Sequence, residues 1–429
     1  MTGTDNNTEK KGTLLQQTQQ EVIRRLHGDK GIWAIFFLLT LISIALIYSA
    51  SSSLAYMKGI TNFSILMRQI SFALFGIIML FICYKIPPRW WRTWAFFSLI
   101  ASIALLLITQ FAGEQRNEAQ RWLTILGIQF QPAEIAKITI VLYLARALEV
   151  MKIDTYKSFL IKIIGPIGLC CVLVLFGSVS SALYMALICF IVLFIAGIKQ
   201  SYLLKTAGFG IAGVILLILI HVVSKPLTSN HRGVFPRMDT AIERFNRFFK
   251  ETEKADISKL SKFEQQRIAD ETLQADMAQI AVKEGGLIGK GPGKSTQRYV
   301  IPHPYSDYIY AIIVEEYGLA GSLLVMMLYV WLFYRCILIV KDCRTVFSAV
   351  TVGGLGAVII VQAMLHILVN VGILPVTGHT LPLISLGGTS FVFISVAFGI
   401  ILSISRTKEN AATMILDKET NNNENIESK

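Results

Sequence analysis

Between residues 31 and 404 the chain is built from apolar runs of roughly 20 residues, the length one α-helix needs to cross the hydrocarbon core of a bilayer. Such runs occur at 31–50, 65–84, 93–111, 132–150, 158–177, 179–198, 203–223, 308–334, 348–372 and 381–404. The closely spaced pair 158–177 and 179–198 would also fit counts of nine or eleven. Backbone polar groups in lipid must be satisfied within the segment, so each run reads as a helix. The expected fold is an all-α integral membrane protein of about ten transmembrane helices.

Composition supports this reading. Only 16% of residues are charged, 54% are hydrophobic, and the mean hydropathy is +0.58. A soluble domain carries about a quarter charged residues. The net charge of +12 does not indicate nucleic acid, because the basic residues lie mostly in loops between apolar runs. Membrane lipids are the partners such a pattern suits. The first 30 residues are polar, and the run after them is too long for a signal-peptide core and lacks a small-residue cleavage site. Cys83, Cys170, Cys171, Cys189, Cys336 and Cys343 lie in apolar runs or short loops, with no metal-ligand spacing and no disulfide framework.

Charge sets the orientation. Lys85, Arg89 and Arg92 share one short loop, Arg146, Lys152 and Lys157 another; Lys199 and Lys205, then Arg335, Lys341 and Arg344, follow on the same side. The positive-inside rule places these loops and both termini in the cytoplasm. Residues 1–30 then form a cytoplasmic lead, in which Leu14–Leu26 is weakly amphipathic; 31–404 is the membrane domain, and 405–429 a polar cytoplasmic tail that reads as disordered. The one long polar insertion, 225–305, is extracytoplasmic. Its middle, 239–279, has helical periodicity, and Phe245, Phe248 and Phe249 form a stripe expected to pack on the membrane domain.

Four outward clusters could carry chemistry. In the first, Arg121-Trp122 precedes Gln131-Pro132-Ala133-Glu134, and Pro132 suits the first position of a helix. Lys137 then lies ~7–8 Å along that helix, where a lysine needs a polar cavity or a partner. An i,i+3 ion pair with Glu134 is the simple alternative to a functional role. The second is the run from Gly285 and Gly286 to Lys290 and on to Gly293-Lys294-Ser295. It is not a nucleotide loop, since Ile288 stands where the P-loop's first glycine belongs and no strand precedes it. Its backbone could face a phosphate, or it could be a plain turn.

The third is Ser306-Asp307-Tyr308, where the long loop re-enters the membrane ahead of Glu315 and Glu316. Ser306 and Asp307 could cap the next helix. Alternatively, Asp307 is a carboxylate at the membrane surface suited to base work. Glu315 and Glu316 either pair internally or line a cavity. The fourth runs from Asn370 through Pro375 and Gly378 to Pro382, Gly387, Gly388 and Thr389. So many glycines and prolines predict a broken or re-entrant segment before the last helix, tolerated only where protein or a cavity surrounds it.

These clusters in this order resemble the SEDS family (shape, elongation, division and sporulation) of peptidoglycan polymerases, across Gly31 to Arg406. His303, Tyr305, Ser306 and Tyr308 depart from the family's usual residues around the aspartate, and Leu386 stands where a tyrosine is common. The ~30-residue lead and Leu381-Pro382-Leu383-Ile384-Ser385 look more like the division branch than the elongation branch. The resemblance implies an inverting glycosyltransferase that joins lipid II units outside the membrane, with Asp307 as catalytic base. It offers Lys137, Arg121 and Glu134, with Arg237, Arg244 and Lys294 behind them, to hold the carboxylate or the diphosphate. Gly285, Gly286, Pro375, Gly378, Gly387 and Gly388 are its structural motif. It further implies a class B penicillin-binding protein and other division proteins as partners, at the inner membrane and the septum. No cofactor is identified; a divalent cation would be compatible, though no acidic cluster stands out to hold one. A lipid II flippase and a non-catalytic scaffold are the alternative readings. The only Ser-x-x-Lys, Ser405 to Lys408, lies at the cytoplasmic end of the last span, which argues against transpeptidation.

Overall fold

The computed structural model describes residues 27–50, 59, 61–116, 119–125, 127–224, 238–239, 242, 244–245, 262–301 and 304–407. The helices are α1 (Lys30–Ala50), α2 (Asn62–Lys85), α3 (Pro88–Ala112), α4 (Pro132–Val150), α5 (Tyr156–Gly177), α6 (Val179–Ile195) and α7 (Gln200–Ser224). They continue as α8 (Lys262–Gly285), α9 (Ile309–Lys341), α10 (Val346–Asn370) and α11 (Thr389–Thr407). Among the described residues, eight helices are long and apolar enough to cross a membrane. Two more, α4 and α6, occupy the remaining apolar ranges: α4 carries Glu134, Lys137, Arg146 and Glu149, and α6 has 17 residues. The protein is a multi-pass membrane protein.

Local sequence explains the helix ends. Thr61, Thr155, Ser178 and Thr345 each accept, on the side-chain oxygen, the N–H three residues on. Pro132 opens α4 at its first turn. Within α5 the turn Leu160–Ile164 is a π-helix that leads into Pro166. Proline has no N–H to give the carbonyl four residues back, and Tyr143 of α4 supplies that bond instead, its hydroxyl reaching Lys162 O at 2.6 Å. Between α3 and α4 a small antiparallel sheet of β1 (Glu114–Arg116), β2 (Ala119–Ile125) and β3 (Ile128–Phe130) pairs Gln115 with Gln120 and Thr124 with Gln129.

The centre of the bundle is α4 against α10, with α9 and α11 beside them. α10 is buried along nearly its whole length, from Phe347 to Asn370. Small residues permit the close approach. A Cβ on Gly399 of α11 would stand 2.6 Å from the carbonyl of Leu80 on α2. By contrast α7 buries only Leu203 and His221 and stands at the periphery. All six cysteines are free.

One expectation changes. The last helix begins at Thr389, not at residue 381, because Pro382, Gly387 and Gly388 hold 371–388 outside helical geometry. Phe245 of the predicted stripe is 57% exposed, while Phe248, Phe249, Leu14–Leu26 and the tail beyond Thr407 lie outside the described residues.

The irregular segment is buried over 381–385, and side chains from the surrounding helices bond its backbone. Ser43 donates to Ile384 O at 2.9 Å, Tyr329 to Pro382 O at 2.6 Å, and Gln362 to Thr380 O at 2.9 Å. Ser385 Oγ takes the N–H of Leu381 at 2.8 Å and donates to Ser306 O at 2.7 Å. A non-helical path inside a membrane protein is stable because of such bonds.

Candidate functional site

The start of α9 and the return segment 371–388 meet at Asp307. Tyr308 is the N-cap of α9, and its own side chain makes no capping bond. The first-turn N–H of Ala311 is taken by Oδ1 of Asn370, at 3.0 Å, from the end of α10. Asn370 Nδ2 also donates to the carbonyl of Asp307 at 3.1 Å and to His366 O at 2.9 Å. The N-cap position is thus Tyr308 rather than Ser306 or Asp307, and Asn370 supplies the side-chain acceptor for the first turn. The Asp307 carboxylate is left facing Gly378, where a Cβ would lie 3.9 Å from Oδ2. No hydrogen bond or ion pair to that carboxylate is formed among the described residues. Gly378 has φ +69°, a left-handed conformation that lets the turn after Pro375 close beside the acid.

One cation bonds this turn and a second lies near Tyr305. Arg244, from the long loop, donates to Val376 O at 3.4 Å. Arg68 of α2 lies within electrostatic reach of Tyr305, as does Asp307. Burial pushes the Tyr305 phenol up to about 12, Asp307 adds to the rise and Arg68 opposes it. Tyr305 therefore stays protonated at any working pH.

Lys137 lies one layer behind. It is 4% exposed, and a buried ammonium needs partners. Its Nζ is 2.8 Å from Glu134 Oε2, donates to Gln362 Oε1 at 3.1 Å, and lies 5.0 Å from the centre of the Tyr184 ring. The i,i+3 pair is thus present, with an amide and an aromatic face added. The same Tyr184 ring packs 5.1 Å from His379, and His379 O is 2.8 Å from Nδ1 of His366. Gln362, His366 and Asn370 sit four residues apart on one face of α10. Together they tie the Lys137 pair, the return segment and the Asp307 main chain into one network.

The glycine-rich loop has a different task. α9 is broken at Gly318 (φ 67°, ψ −167°). The loop repairs the break with four backbone bonds: Lys290 N to Glu315 O and Gly291 N to Glu316 O, both 2.9 Å, and Leu319 N to Gly286 O and Ala320 N to Leu287 O, at 2.9 and 3.2 Å. A Cβ on Gly289 would collide with the carbonyl of Glu316, and one on Gly318 would stand 2.5 Å from Gly289 N. Glu315 and Glu316 pair internally. Glu315 accepts from Lys290 Nζ at 2.6 Å, from Thr296 N and Oγ1 at 2.9 Å, and from Ser295. Glu316 accepts from Ser49 at 2.5 Å, and Arg298 stands 3.8 Å away. Gly285 packs on the carbonyl of Val314 with no room for a Cβ, whereas Gly286 faces open space.

Of the other sequence candidates, Lys294 is exposed on this loop. The main chain of Arg121 runs in β2, and Arg237 lies outside the described residues. Gly388 (φ +46°) packs against the Phe72 ring, and a Cβ on Gly387 would stand 3.2 Å from Ser390. Among the described residues no group of three His, Cys, Asp or Glu side chains could hold a metal ion. The sequence reading missed Gln362, His366, Arg68 and Tyr305 as members of the site. Polar residues at four-residue spacing in an apolar run were the available signal for the first two.

The site thus offers, among the described residues, an unpaired carboxylate beside the exposed Gly378, with Arg244 on the same turn, Arg68 near Tyr305, and a braced lysine behind. Comparison with known proteins finds relatives over most of the chain. The chain is 27% identical over 378 residues to the stage V sporulation protein E of Bacillus subtilis, covering 87% of this chain and 95% of that one. It is 26% identical to a probable peptidoglycan glycosyltransferase FtsW of a Geobacter species (91% and 100%). It is 27% identical to the peptidoglycan glycosyltransferase MrdB of Escherichia coli (89% and 94%). In fold it is similar to a chain of a peptidoglycan synthase complex that couples polymerization and crosslinking, with TM-score 0.68, 22% identity and 89% and 98% coverage. It is also similar to the rod shape determining protein RodA of Thermus thermophilus, with TM-score 0.62, 20% identity and 90% and 99% coverage. The FtsW/RodA/SpoVE cell cycle proteins match residues 29–410 as a family, and the chain belongs to that family, the SEDS proteins.

Proposed function

We propose that this protein is a peptidoglycan glycosyltransferase that polymerises lipid II at the outer face of the cytoplasmic membrane. The observation that carries the reading is the freed carboxylate of Asp307. Asn370 has taken over the cap of α9, and the acid faces the Gly378 turn with no cation or donor bound to it among the described residues. A general base needs such a site.

In the reaction, the 4-hydroxyl of an acceptor N-acetylglucosamine attacks the anomeric carbon of a polyprenyl-diphosphate-linked N-acetylmuramic acid. The new C–O bond forms from the face opposite the leaving group, which inverts the centre. The C–O bond to the diphosphate breaks, and the diphosphate departs with the electron pair. Asp307 takes the hydroxyl proton. Arg244, bonded to Val376 O, and Arg68, within electrostatic reach of Tyr305, are the cations that would meet the diphosphate charge, and Arg121, Arg237 and Lys294 are further candidates on the same side. Lys137, held by Glu134 and Gln362, sets the position of α4 against α10 and adds positive potential behind the site.

The division branch is our reading of the role, from the lead before α1 and the Leu381–Ser385 version of the return segment. The cytoplasmic orientation of both termini and a septal location go with it. A class B penicillin-binding protein is the expected partner, and similarity to a chain of a synthase complex supports that choice. A flippase would place its charges near the bilayer midplane, open to each face in turn; Asp307 instead precedes the first turn of α9.

Asp307→Asn tests the proposal in purified protein with its partner and labelled lipid II. Loss of the base should reduce polymerisation by about 10²–10⁴-fold, with folding and partner binding retained. Normal polymer from the Asn variant would overturn the mechanism. Translocation of lipid II without polymer from either form would favour the flippase.

A further inference from the structure

His366 is 1% exposed in the middle of the network, one turn of α10 from Asn370. Its Nδ1 stands 2.8 Å from the carbonyl oxygen of His379. A carbonyl oxygen only accepts, so Nδ1 carries the hydrogen and Nε2 of the neutral ring is left bare. Nε2 is buried and has no hydrogen-bond partner among the described residues. A buried acceptor without a donor is rare in folded proteins. Asp307 is within electrostatic reach of the ring, and Asn370 Nδ2 joins the carbonyls of Asp307 and His366 at 3.1 and 2.9 Å. The ring is held on His379 O, and the carboxylate faces Gly378, the residue before it. Two acceptors bare among the described residues, a carboxylate and an imidazole nitrogen, therefore share one turn of the return segment, and neither can donate to the other. That changes when the carboxylate receives a proton.

We propose that His366 is a positioning residue for Asp307: once Asp307 has taken the acceptor hydroxyl's proton, it donates that hydrogen to Nε2 of His366, directly or through one water. A hydrogen bond made to the protonated form alone strengthens the base. His366 keeps its own protonation state throughout, and the proton stays on Asp307 until it leaves to solvent. The other ionisable groups of the surroundings are Tyr305 beside Asp307, Arg68 on α2 near Tyr305, His379 on the return segment, Tyr184 on α6, the mutually paired Lys137 and Glu134 on α4, and Arg244, which bonds Val376 O. All are retained in the variants below.

This inference rests on Asp307 being the base, and the tests separate the two claims. His366→Asn and His366→Gln keep a donor for the His379 carbonyl and remove the imidazole acceptor. With the wild-type complex as reference, the acid limb of the kcat profile for polymerisation should move about one unit to lower pH, a tenfold change in the acid's ionisation. The plateau should fall about three- to tenfold with KM within about twofold, as for a weakened base. A merely structural role would lower yield or stability and leave the acid limb in place, and an unmoved limb in a folded variant overturns the proposal. Nitrogen-15 spectra of histidine-labelled protein need no His366 variant. They should show a neutral His366 with hydrogen on Nδ1, and an Nε2 resonance displaced in Asp307→Asn; hydrogen on Nε2 would overturn the inference. A fully active Asp307→Asn would instead remove the base and this role together.

Discussion

Asn370 joins the end of α10 to the start of α9, its Oδ1 accepting from Ala311 N at 3.0 Å and its Nδ2 donating to the carbonyl of Asp307 at 3.1 Å. A residue of one helix thus caps another and fixes the main chain of the candidate base. Asn370→Ala removes both bonds at a site that is 1% exposed. Leaving buried groups unpaired costs about 1–3 kcal/mol. Stability should fall by that amount, and polymerisation by at least tenfold, beyond what the lost stability explains. Thermal unfolding and lipid II polymerisation on the same preparation check this; normal turnover would mean that Asp307 is held by other contacts.

Lys137→Met keeps most of the apolar stem and removes the charge. It leaves Glu134 and the Gln362 amide without their shared donor in a buried layer. A folded protein with strongly reduced turnover is expected. If activity stays within about twofold, Lys137 serves Glu134 only as an ion-pair partner. Glu134→Gln, measured alongside, should lose less, because the amide still accepts from Lys137.

The glycine-rich loop allows a paired test. Gly289→Ala faces the carbonyl of Glu316 with φ +87°, whereas Gly286→Ala has φ +55° and open space around it. Alanine at either position meets the left-handed penalty of about 1–2 kcal/mol, and only at Gly289 is an overpacking cost of about 1–3 kcal/mol added. Unfolding in detergent should rank Gly289→Ala clearly below Gly286→Ala. Equal stabilities would show that the loop is not locked into the Gly318 break.

Orientation is tested by reporter fusions. Those at Lys85, Lys152 and Arg344 should read cytoplasmic, and one at Lys254 extracytoplasmic. A cytoplasmic signal at Lys254 would turn the candidate site to the wrong face of the membrane.

Titration with a class B penicillin-binding protein should raise polymerisation, as expected if the partner shifts the population toward an active arrangement. Binding without any change in rate over the full titration would remove that coupling.

What the sequence determined by itself was the local part: apolar runs of spanning length, Pro132 opening α4, Thr and Ser residues at helix starts, and a broken path between α10 and α11. Each is set by a few neighbouring residues, through the length of the bilayer, the fixed φ of proline or a capping hydroxyl. Asp307 and Lys137 could be singled out because a charge beside an apolar run needs a reason. Their partners could not. Lys137 meets Gln362 across 225 residues, Asp307 meets Asn370 across 63, and the loop at Lys290 meets Glu315 across 25. Only packing decides which buried donor finds which acceptor, because every polar group taken from water must be satisfied by whatever helix stands opposite. Tertiary structure therefore made Asn370 the cap of α9 and freed Asp307. It also turned a glycine-rich loop that resembled a phosphate site into the brace of a broken helix, and linked the main chains of His366 and Asp307 through Asn370.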